Sequence, residues 1–314
     1  MRSRELTKKE FHPQEWLIHQ MLRVAGFSSI LIIGLIFIFL FKEAVLFFTT
    51  AHPLSLIGTW DYDAWEEKNI FKVMWQAASV VPKYSLIPLI CGSFLVAVPA
   101  TLIAALFGIG GAVYLSEIAS ARTRETLKPT LELLAGIPSV VMGFFMLAVA
   151  ASLIQDIFHT KFRLNAFVGA LGVAVLTIPV VMTIAEDAMR AVPRELRDAS
   201  YALGATRWQT ILGTVIPAAV SGISAAVILG FGRALGETMV VVMATGNAAL
   251  VTGNVFSSVR TMTANIAAEL GAVAQGSEHY YALFLVGAFL FTVTFFLNFV
   301  AEMVLNKMRS RLRM

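Results

Sequence analysis

The chain has 314 residues and a formal net charge of +4, and hydrophobic residues make up 58% of it while charged residues make up only 14%. With a mean hydropathy of +0.77, this composition excludes an ordinary soluble domain and is typical of an integral membrane protein. The sole cysteine, Cys91, can form no internal disulfide.

The segment before the first apolar run, residues 1–23, is polar and basic. We expect a short amphipathic helix on the cytoplasmic membrane surface after Pro13, and a frayed basic leader is the alternative. The apolar residues that support this helix are Trp16, Leu17, Ile18, Met21 and Leu22. The run that follows is too long for a typical signal peptide, which predicts a retained membrane anchor.

Six runs of the chain are long and apolar enough to cross a hydrocarbon core about 30 Å thick, which takes about 20 residues. Each is predicted to be a helix, because lipid offers backbone polar groups no other partner. The predicted spans are about Val24 to Phe48, Leu86 to Leu115, Leu127 to Ile154, Ala166 to Ala185, Ile216 to Gly246, and Tyr281 to Leu305. The chain therefore reads as an all-α polytopic membrane protein with one six-helix membrane domain over residues 24–305.

The distribution of basic residues predicts the orientation. Sixteen of the 24 Lys and Arg residues lie on the side of the termini and seven on the other side, while Arg233 lies within a span. By the positive-inside rule both termini are cytoplasmic, including the basic tail 306–314, and so is the loop over about residues 190–217.

The two longest loops on the opposite side carry features of their own. Aromatic residues in Thr49 to Ser85 predict an interfacial belt, or alternatively a docking surface, among them Trp60, Tyr62, Trp65 and Trp75. The segment Ser257 to Leu270 predicts a short helix that dips toward the membrane. All five histidines lie in loops or near the N-terminus without metal-ligand spacing, and are expected to be solvated or interfacial.

The cytoplasmic loop between the fourth and fifth spans predicts a helix-turn-helix. Gly204 supplies a left-handed stop for a first helix, and Thr206 with Gln209 forms a capping box that begins a second helix at Arg207. Small residues at this elbow would let the surface of another protein approach, namely Ala199, Ser200, Gly204 and Ala205. A plain connecting loop is the alternative. Nucleic-acid binding is excluded because nearby acidic residues match the four arginines of this segment.

Arg233 and Glu237 are the strongest candidates for chemistry. Arg233 is expected about 25 Å along the fifth helix, where an arginine must face the bundle interior or a wet cavity. Glu237 is expected one turn further on the same face, where it can neutralise Arg233. We predict that Arg233 is a way-station for an oxyanion, with Glu237 moderating the attraction; a permanent ion pair that locks two helices is the alternative.

Three hydroxyl residues inside spans are further candidates for contacts with a passing anion, Ser139, Thr177 and Thr238, although such residues more often bond to backbone or to another helix.

The sequence has no GxxxxGK[ST] motif and no Gly-Lys pair, so it predicts neither nucleotide binding nor an enzyme. We expect no cofactor in this chain, and ATP must then act through a partner.

The cytoplasmic loop resembles the EAA loop of ABC importer permeases. That pattern is Glu-Ala-Ala, three residues, Gly, nine residues and Ile-x-Leu-Pro, and here Asp198 begins it, Gly204 is its glycine and Pro217 ends it. The letters depart from the pattern at Asp198, Ser200, Thr214 and Ile216. Four further strings are similar to PstC-type permease subunits of phosphate-specific ABC importers: Gly108 to Ala119, Leu127 to Phe145, Gly232 to Val241 and Val259 to Gly271. The resemblance covers roughly Leu86 to the C-terminus.

This resemblance implies the type I ABC importer permease fold in a bacterial cytoplasmic (inner) membrane. It implies three protein partners: a second, PstA-type permease, a PstB-type ATPase dimer that holds ATP and Mg, and an extracytoplasmic PstS-type phosphate-binding protein. It also implies that the cytoplasmic loop contacts the ATPase. The residues carried over to that role are Arg197, Asp198, Ala199, Ser200, Gly204, Ala205, Arg207 and Pro217.

Other transport classes remain as alternatives. Sulfate and molybdate permeases share a similar RALGE string, but Phe would be expected there in place of Thr238, so phosphate is preferred. A secondary transporter would explain Arg233 and would require inverted repeats. A membrane scaffold would explain the spans alone.

Overall fold

The computed structural model describes residues 13–63 and 68–312. Six helices in this part of the chain are long and apolar enough to cross a membrane: Trp16–Thr50, Ile87–Ile118, Ser139–Phe158, Ala166–Arg190, Arg207–Gly236 and Glu278–Val304. The predicted six-span, all-α architecture is confirmed. The first twelve residues of the predicted N-terminal segment lie outside the described part of the chain.

The first helix, α1 (Pro13–Thr50), is continuous, so the structure has no separate interfacial helix after Pro13. In its most apolar window no residue is buried within the subunit. It packs mainly on the last helix, α12 (Glu278–Leu312), which also includes most of the predicted basic tail. An unburied apolar helix of this kind is expected to face lipid.

The loop after α1 forms two small hairpins, a difference from a purely helical chain. Strand β1 (Thr59–Asp63) pairs antiparallel with β2 (Lys68–Lys72), and Trp60 lies opposite Phe71. Strand β3 (Trp75–Gln76) pairs antiparallel with β4 (Lys83–Tyr84). The hairpins lead into the second span.

Three helices form the centre of the subunit: α2 (Ile87–Val113), α6 (Ala166–Arg190) and α9 (Ile216–Gly236). Small residues set their close approach. A Cβ added at Gly230 would lie 2.6 Å from Val181 Cγ2, and one added at Gly108 would lie 3.0 Å from the Val181 side chain. Glycine at these contacts lets helix backbones come together, as is typical of membrane bundles.

The predicted third span, Leu127 to Ile154, is wrong at its start. Helix α3 (Ala121–Ala135) is separate and largely exposed, and the span proper consists of α4 (Ser139–Phe145), a π-turn (Met146–Ala150) and α5 (Ala151–Phe158). Pro138 lies just before α4 with an extended ψ of 132°. A proline disfavours helical geometry at the residue before it, which explains the break between α3 and α4.

The predicted fifth span, Ile216 to Gly246, is wrong at its end. Its helix starts as α8 (Arg207–Thr210), passes through a π-turn (Ile211–Val215) and ends with α9 at Gly236. Glu237 is extended, with ψ 135°, and a short helix α10 (Met239–Ala244) follows it. The remaining helices are α7 (Arg194–Ala202), in the loop between the fourth and fifth spans, and α11 (Met262–Glu269).

Candidate functional site

Arg233 lies in the last turn of α9, three residues before the helix ends. A cation is favoured there, because unpaired carbonyls give a helix C-terminus partial negative charge. Its side chain is exposed on the isolated subunit, and within residues 13–63 and 68–312 it makes no hydrogen bond or salt bridge. The described part of the chain therefore supplies no counter-ion to this arginine.

The predicted pairing of Glu237 with Arg233 is wrong. The helix ends between them, so Glu237 is not on the same helical face. Its Oε1 instead accepts hydrogen bonds from the backbone N–H of Thr238 (3.1 Å) and of Val240 (3.4 Å). A carboxylate that binds the free N–H groups of a helix start is a local cap, and here it stabilises the start of α10.

The break between α9 and α10 is also held by contacts from the loop that precedes the last span. The Thr263 hydroxyl donates to the Glu237 carbonyl oxygen at 2.7 Å, and the Met262 N–H donates to Ser93 Oγ at 2.9 Å. The predicted short helix is confirmed as α11, and its first residues are buried in the subunit. Thr263 is a residue that sequence reasoning missed, and nothing in its local pattern distinguished it.

The three hydroxyl candidates have different environments. Thr177 is buried and donates to the Val173 carbonyl at 2.8 Å. A hydrogen bond to the backbone is the alternative role expected for a hydroxyl in a span. Thr238 donates to the Gly236 carbonyl at 3.3 Å, so it stabilises the break. Ser139 is half-buried at the start of α4, and its hydroxyl has no hydrogen-bond partner among the described residues.

A polar network lies at the C-terminal end of α11, centred on Glu269. This carboxylate accepts from Arg260 Nη1 (2.7 Å) and Trp75 Nε1 (2.9 Å), and its Oε2 lies 2.8 Å from His279 Nε2. The expectation of an interfacial Trp75 is wrong, because its side chain is buried in the subunit, while His279 is half-buried. Burial, and then the Glu278 carboxylate, raise the pKa of the neighbouring Tyr84 to about 12, which keeps its phenol neutral.

The loop between the fourth and fifth spans, predicted to be cytoplasmic, has the expected helix-turn-helix form. Gly204 has φ +82° after α7, and both hydrogen bonds of the Thr206 and Gln209 capping box are present at the start of α8. Leu203, at the turn, is 90% exposed, and Trp208 on α8 is 56% exposed. Large apolar side chains this exposed on one loop are typical of a surface that another protein covers.

Two loop arginines point inward, toward the end of the second span. The Arg197 guanidinium donates to Glu117 Oε1 at 2.8 Å and to the Val192 carbonyl at 2.6 Å. Arg207 donates to the Glu117 carbonyl. Glu117 lies in the π-turn (Tyr114–Ile118) that ends the second span, and its side chain is 9% exposed. These contacts clamp the loop to the second span, and sequence reasoning missed Glu117.

The other predicted loop residues lie around the turn. Asp198 and Ala199 are exposed on α7, Ser200 Oγ lies 3.0 Å from Thr210 Oγ1, and Ala205 follows Gly204. Pro217 lies in the first turn of α9, directly after the π-turn. A π-turn alters the backbone hydrogen-bond register, so a residue that lacks an N–H is tolerated beside it.

A buried carboxylate, Glu186, lies on the same side and was also missed. It is 1% exposed and is approached by three cations: Arg190 at 3.5 Å, Lys128 at 3.6 Å and Arg124 at 3.8 Å. Since buried charges require partners, this cluster joins the end of α6 to α3.

The sequence of the chain is similar to those of known transport proteins. Residues 108–310 match the family described as the binding-protein-dependent transport system inner membrane component. A probable ABC transporter permease protein, YqgH of Bacillus subtilis, is 38% identical over 221 residues, which cover 70% of this chain and 72% of the relative. The phosphate transport system permease protein PstC of Mesorhizobium japonicum is 29% identical, over 98% of this chain and 95% of the relative.

Solved structures support the fold. An inward-facing structure of the MetNI methionine ABC transporter aligns with a TM-score of 0.56 at 16% identity, over 71% of this chain and 95% of that one. A bacterial ABC transporter involved in import of the acidic polysaccharide alginate aligns with a TM-score of 0.51 at 16% identity, over 69% and 78%. The predicted importer-permease architecture is confirmed.

Proposed function

Because the chain belongs to the family of binding-protein-dependent transport system inner membrane components, and is a permease subunit of an ABC transporter, we propose that it imports inorganic phosphate. Its relatives are permease subunits and not catalytic enzymes. In this proposal the chain lies in a bacterial cytoplasmic membrane with both termini inside, and forms the pathway with a second, PstA-type permease.

The observation that carries the proposal is the unpaired Arg233. A charged side chain inside a membrane span costs about 2.5–3.5 kcal/mol on insertion scales, so such residues pair or face water. Arg233 is exposed on this subunit, and no described residue pairs with it. Its partner then comes from outside the described part of the chain, and a guanidinium matches phosphate oxygens in a bidentate geometry.

Glu237 has a supporting role in this mechanism. Its carboxylate caps α10 through the N–H of Thr238 and Val240 and so holds the end of α9 beside Arg233. Thr263 holds the same peptide from the outer loop. The break therefore fixes the backbone near Arg233 while the guanidinium stays free to receive and release an anion, as transport requires.

ATP acts through the cytoplasmic loop. The exposed Leu203 and Trp208 provide the contact with a PstB-type ATPase dimer, which holds the ATP and Mg. Arg197 then passes the motion of the loop to the second span through Glu117. A PstS-type binding protein delivers phosphate on the outer side.

Uptake of labelled phosphate, sulfate and molybdate into vesicles that hold the assembled complex tests the substrate. We expect phosphate uptake that requires ATP and the binding protein, with little uptake of the other two. Preferential sulfate or molybdate uptake would reassign the anion, since a guanidinium also suits other tetrahedral oxyanions. Purification of the subunit tests the proposed assembly, because the second permease and the ATPase should purify with it. A lone monomer with full transport activity would contradict the assembly.

A further inference from the structure

A polar pocket of about 430 Å³ lies on the predicted cytoplasmic side, between the end of the second span, α3 and α7. Guanidinium groups from three helices converge on it. The lining includes four arginines and two hydroxyl residues: Arg124, Arg190, Arg194, Arg197, Ser116 and Tyr201. Two carboxylates, Glu117 and Asp198, complete the charged lining, so cations outnumber anions in the pocket. Like charges gathered in one concavity favour an anionic occupant.

Two of the arginines are already fixed by the protein. Arg124 donates from Nε to the Leu115 carbonyl at 2.9 Å and from Nη2 to the Ser116 carbonyl at 3.3 Å. Arg197 is held by Glu117 and the Val192 carbonyl. Both side chains are therefore ordered before any ligand binds, and they line the pocket at no further ordering cost.

The other two arginines are open. Arg194 is exposed, and within residues 13–63 and 68–312 it makes no hydrogen bond or salt bridge. Arg190 has a 49% exposed side chain, and its one carboxylate contact is with Glu186 at 3.5 Å, among the described residues. Glu186 is shared with Lys128 and Arg124. Most of the hydrogen-bonding capacity of these two arginines is therefore unused.

We propose that this pocket binds the phosphate group of an anionic ligand, with Arg190 and Arg194 as the principal contacts. A guanidinium gives paired, charge-assisted hydrogen bonds to phosphate oxygens. Two sources share this chemistry: the headgroup of an anionic phospholipid, which basic pockets between spans on the cytoplasmic side are known to bind, and inorganic phosphate in the cytoplasm. The site is separate from Arg233, so the proposal does not depend on which anion is transported.

The test compares the assembled complex with its Arg190→Gln/Arg194→Gln variant. The matched control is Arg122→Gln, which removes an exposed arginine of α3 that does not line the pocket. In the lipid arm, complexes are placed in nanodiscs of mixed phosphatidylglycerol and phosphatidylcholine, and the retained phosphatidylglycerol is measured by native mass spectrometry. In the free-anion arm, labelled phosphate binding is measured in phosphatidylcholine alone, with every complex also carrying Arg233→Met.

Loss of two charged contacts predicts at least about a hundredfold fall in binding for the double variant, since each hydrogen bond to a charged group contributes a factor of about ten or more. Loss in the lipid arm identifies a headgroup, and loss in the other arm identifies free phosphate. Binding equal to that of Arg122→Gln in both arms would overturn the proposal and leave the arginines as a salt-bridge framework. If the double variant fails to assemble, Arg194→Gln replaces it, because the side chain of Arg194 makes no hydrogen bond or salt bridge with a described residue.

Discussion

Replacing Gly204 by Ala tests whether the left-handed elbow of the cytoplasmic loop matters for coupling. Gly204 has φ +82°, and a Cβ added there would meet nothing within 4 Å. Packing therefore contributes no cost, and the whole penalty is that of a left-handed residue with a Cβ, about 1–2 kcal/mol. Gly213 is the matched control, because a Cβ added there also meets nothing within 4 Å while its φ is not positive. Gly213 lies in the helical π-turn, so Gly213→Ala should raise the free energy of unfolding by up to about 1 kcal/mol.

Two assays on the assembled complex distinguish these variants. In the native loop the Gly204 N–H donates to the Tyr201 carbonyl at 2.9 Å. In Gly204→Ala, hydrogen exchange at the amides of this turn should become about tenfold faster, because a penalty of 1.4 kcal/mol is a factor of ten. Substrate-stimulated ATP hydrolysis should fall in Gly204→Ala and persist in Gly213→Ala. Unchanged exchange in Gly204→Ala would refute the left-handed geometry, and unchanged stimulated hydrolysis would reduce the loop to a connector.

Three further substitutions probe the contacts around the two ends of the pathway. Glu117→Gln leaves the largely buried Arg197 without its counter-ion and should lower the free energy of unfolding by about 3–5 kcal/mol. The melting temperature of the complex measures this loss. The control Glu125→Gln, at an exposed glutamate, should leave the melting temperature unchanged. Thr263→Val removes the donor to the half-buried Glu237 carbonyl and should cost about 1 kcal/mol, with lower uptake. Thr263→Ser should restore uptake, and failure to do so would exclude the hydroxyl as the cause. Leu203→Ser should weaken ATPase co-purification without unfolding the subunit, because Leu203 is 90% exposed; undiminished co-purification would exclude this leucine from the interface.

Local signals along the chain were reliable where one short-range interaction decides the structure. Thr206 and Gln209 predicted the start of α8, because a capping box depends only on residues three apart. Gly204 predicted the left-handed turn for the same reason. The number of spans followed from apolar length, since a helix is the structure that satisfies an isolated backbone in lipid.

The contacts that decide the candidate site are long-range and left no such signal. Glu237 and Arg233 have helical spacing, but the helix ends at Gly236 and the carboxylate caps α10 instead. The donor that holds this break, Thr263, is 26 residues away in the chain, and the partner of Arg197, Glu117, is 80 residues away. The hydropathy pattern predicted α3 and α4 as one span, because hydropathy carries no information about the backbone restriction that Pro138 imposes.

The most direct test of the account is phosphate uptake by Arg233 variants in proteoliposomes, normalised to assembled complex. No ion pair joins Arg233 to Glu237 in the described structure, so single substitutions suffice. We predict that Arg233→Met assembles and hydrolyses ATP but lowers uptake at least about a hundredfold, by loss of two charge-assisted hydrogen bonds. Arg233→Lys should restore part of the uptake, because a point charge lacks the bidentate fork. Glu237→Gln, whose amide oxygen can still cap α10, should transport at near-normal rates. Near-normal uptake by Arg233→Met would contradict the account.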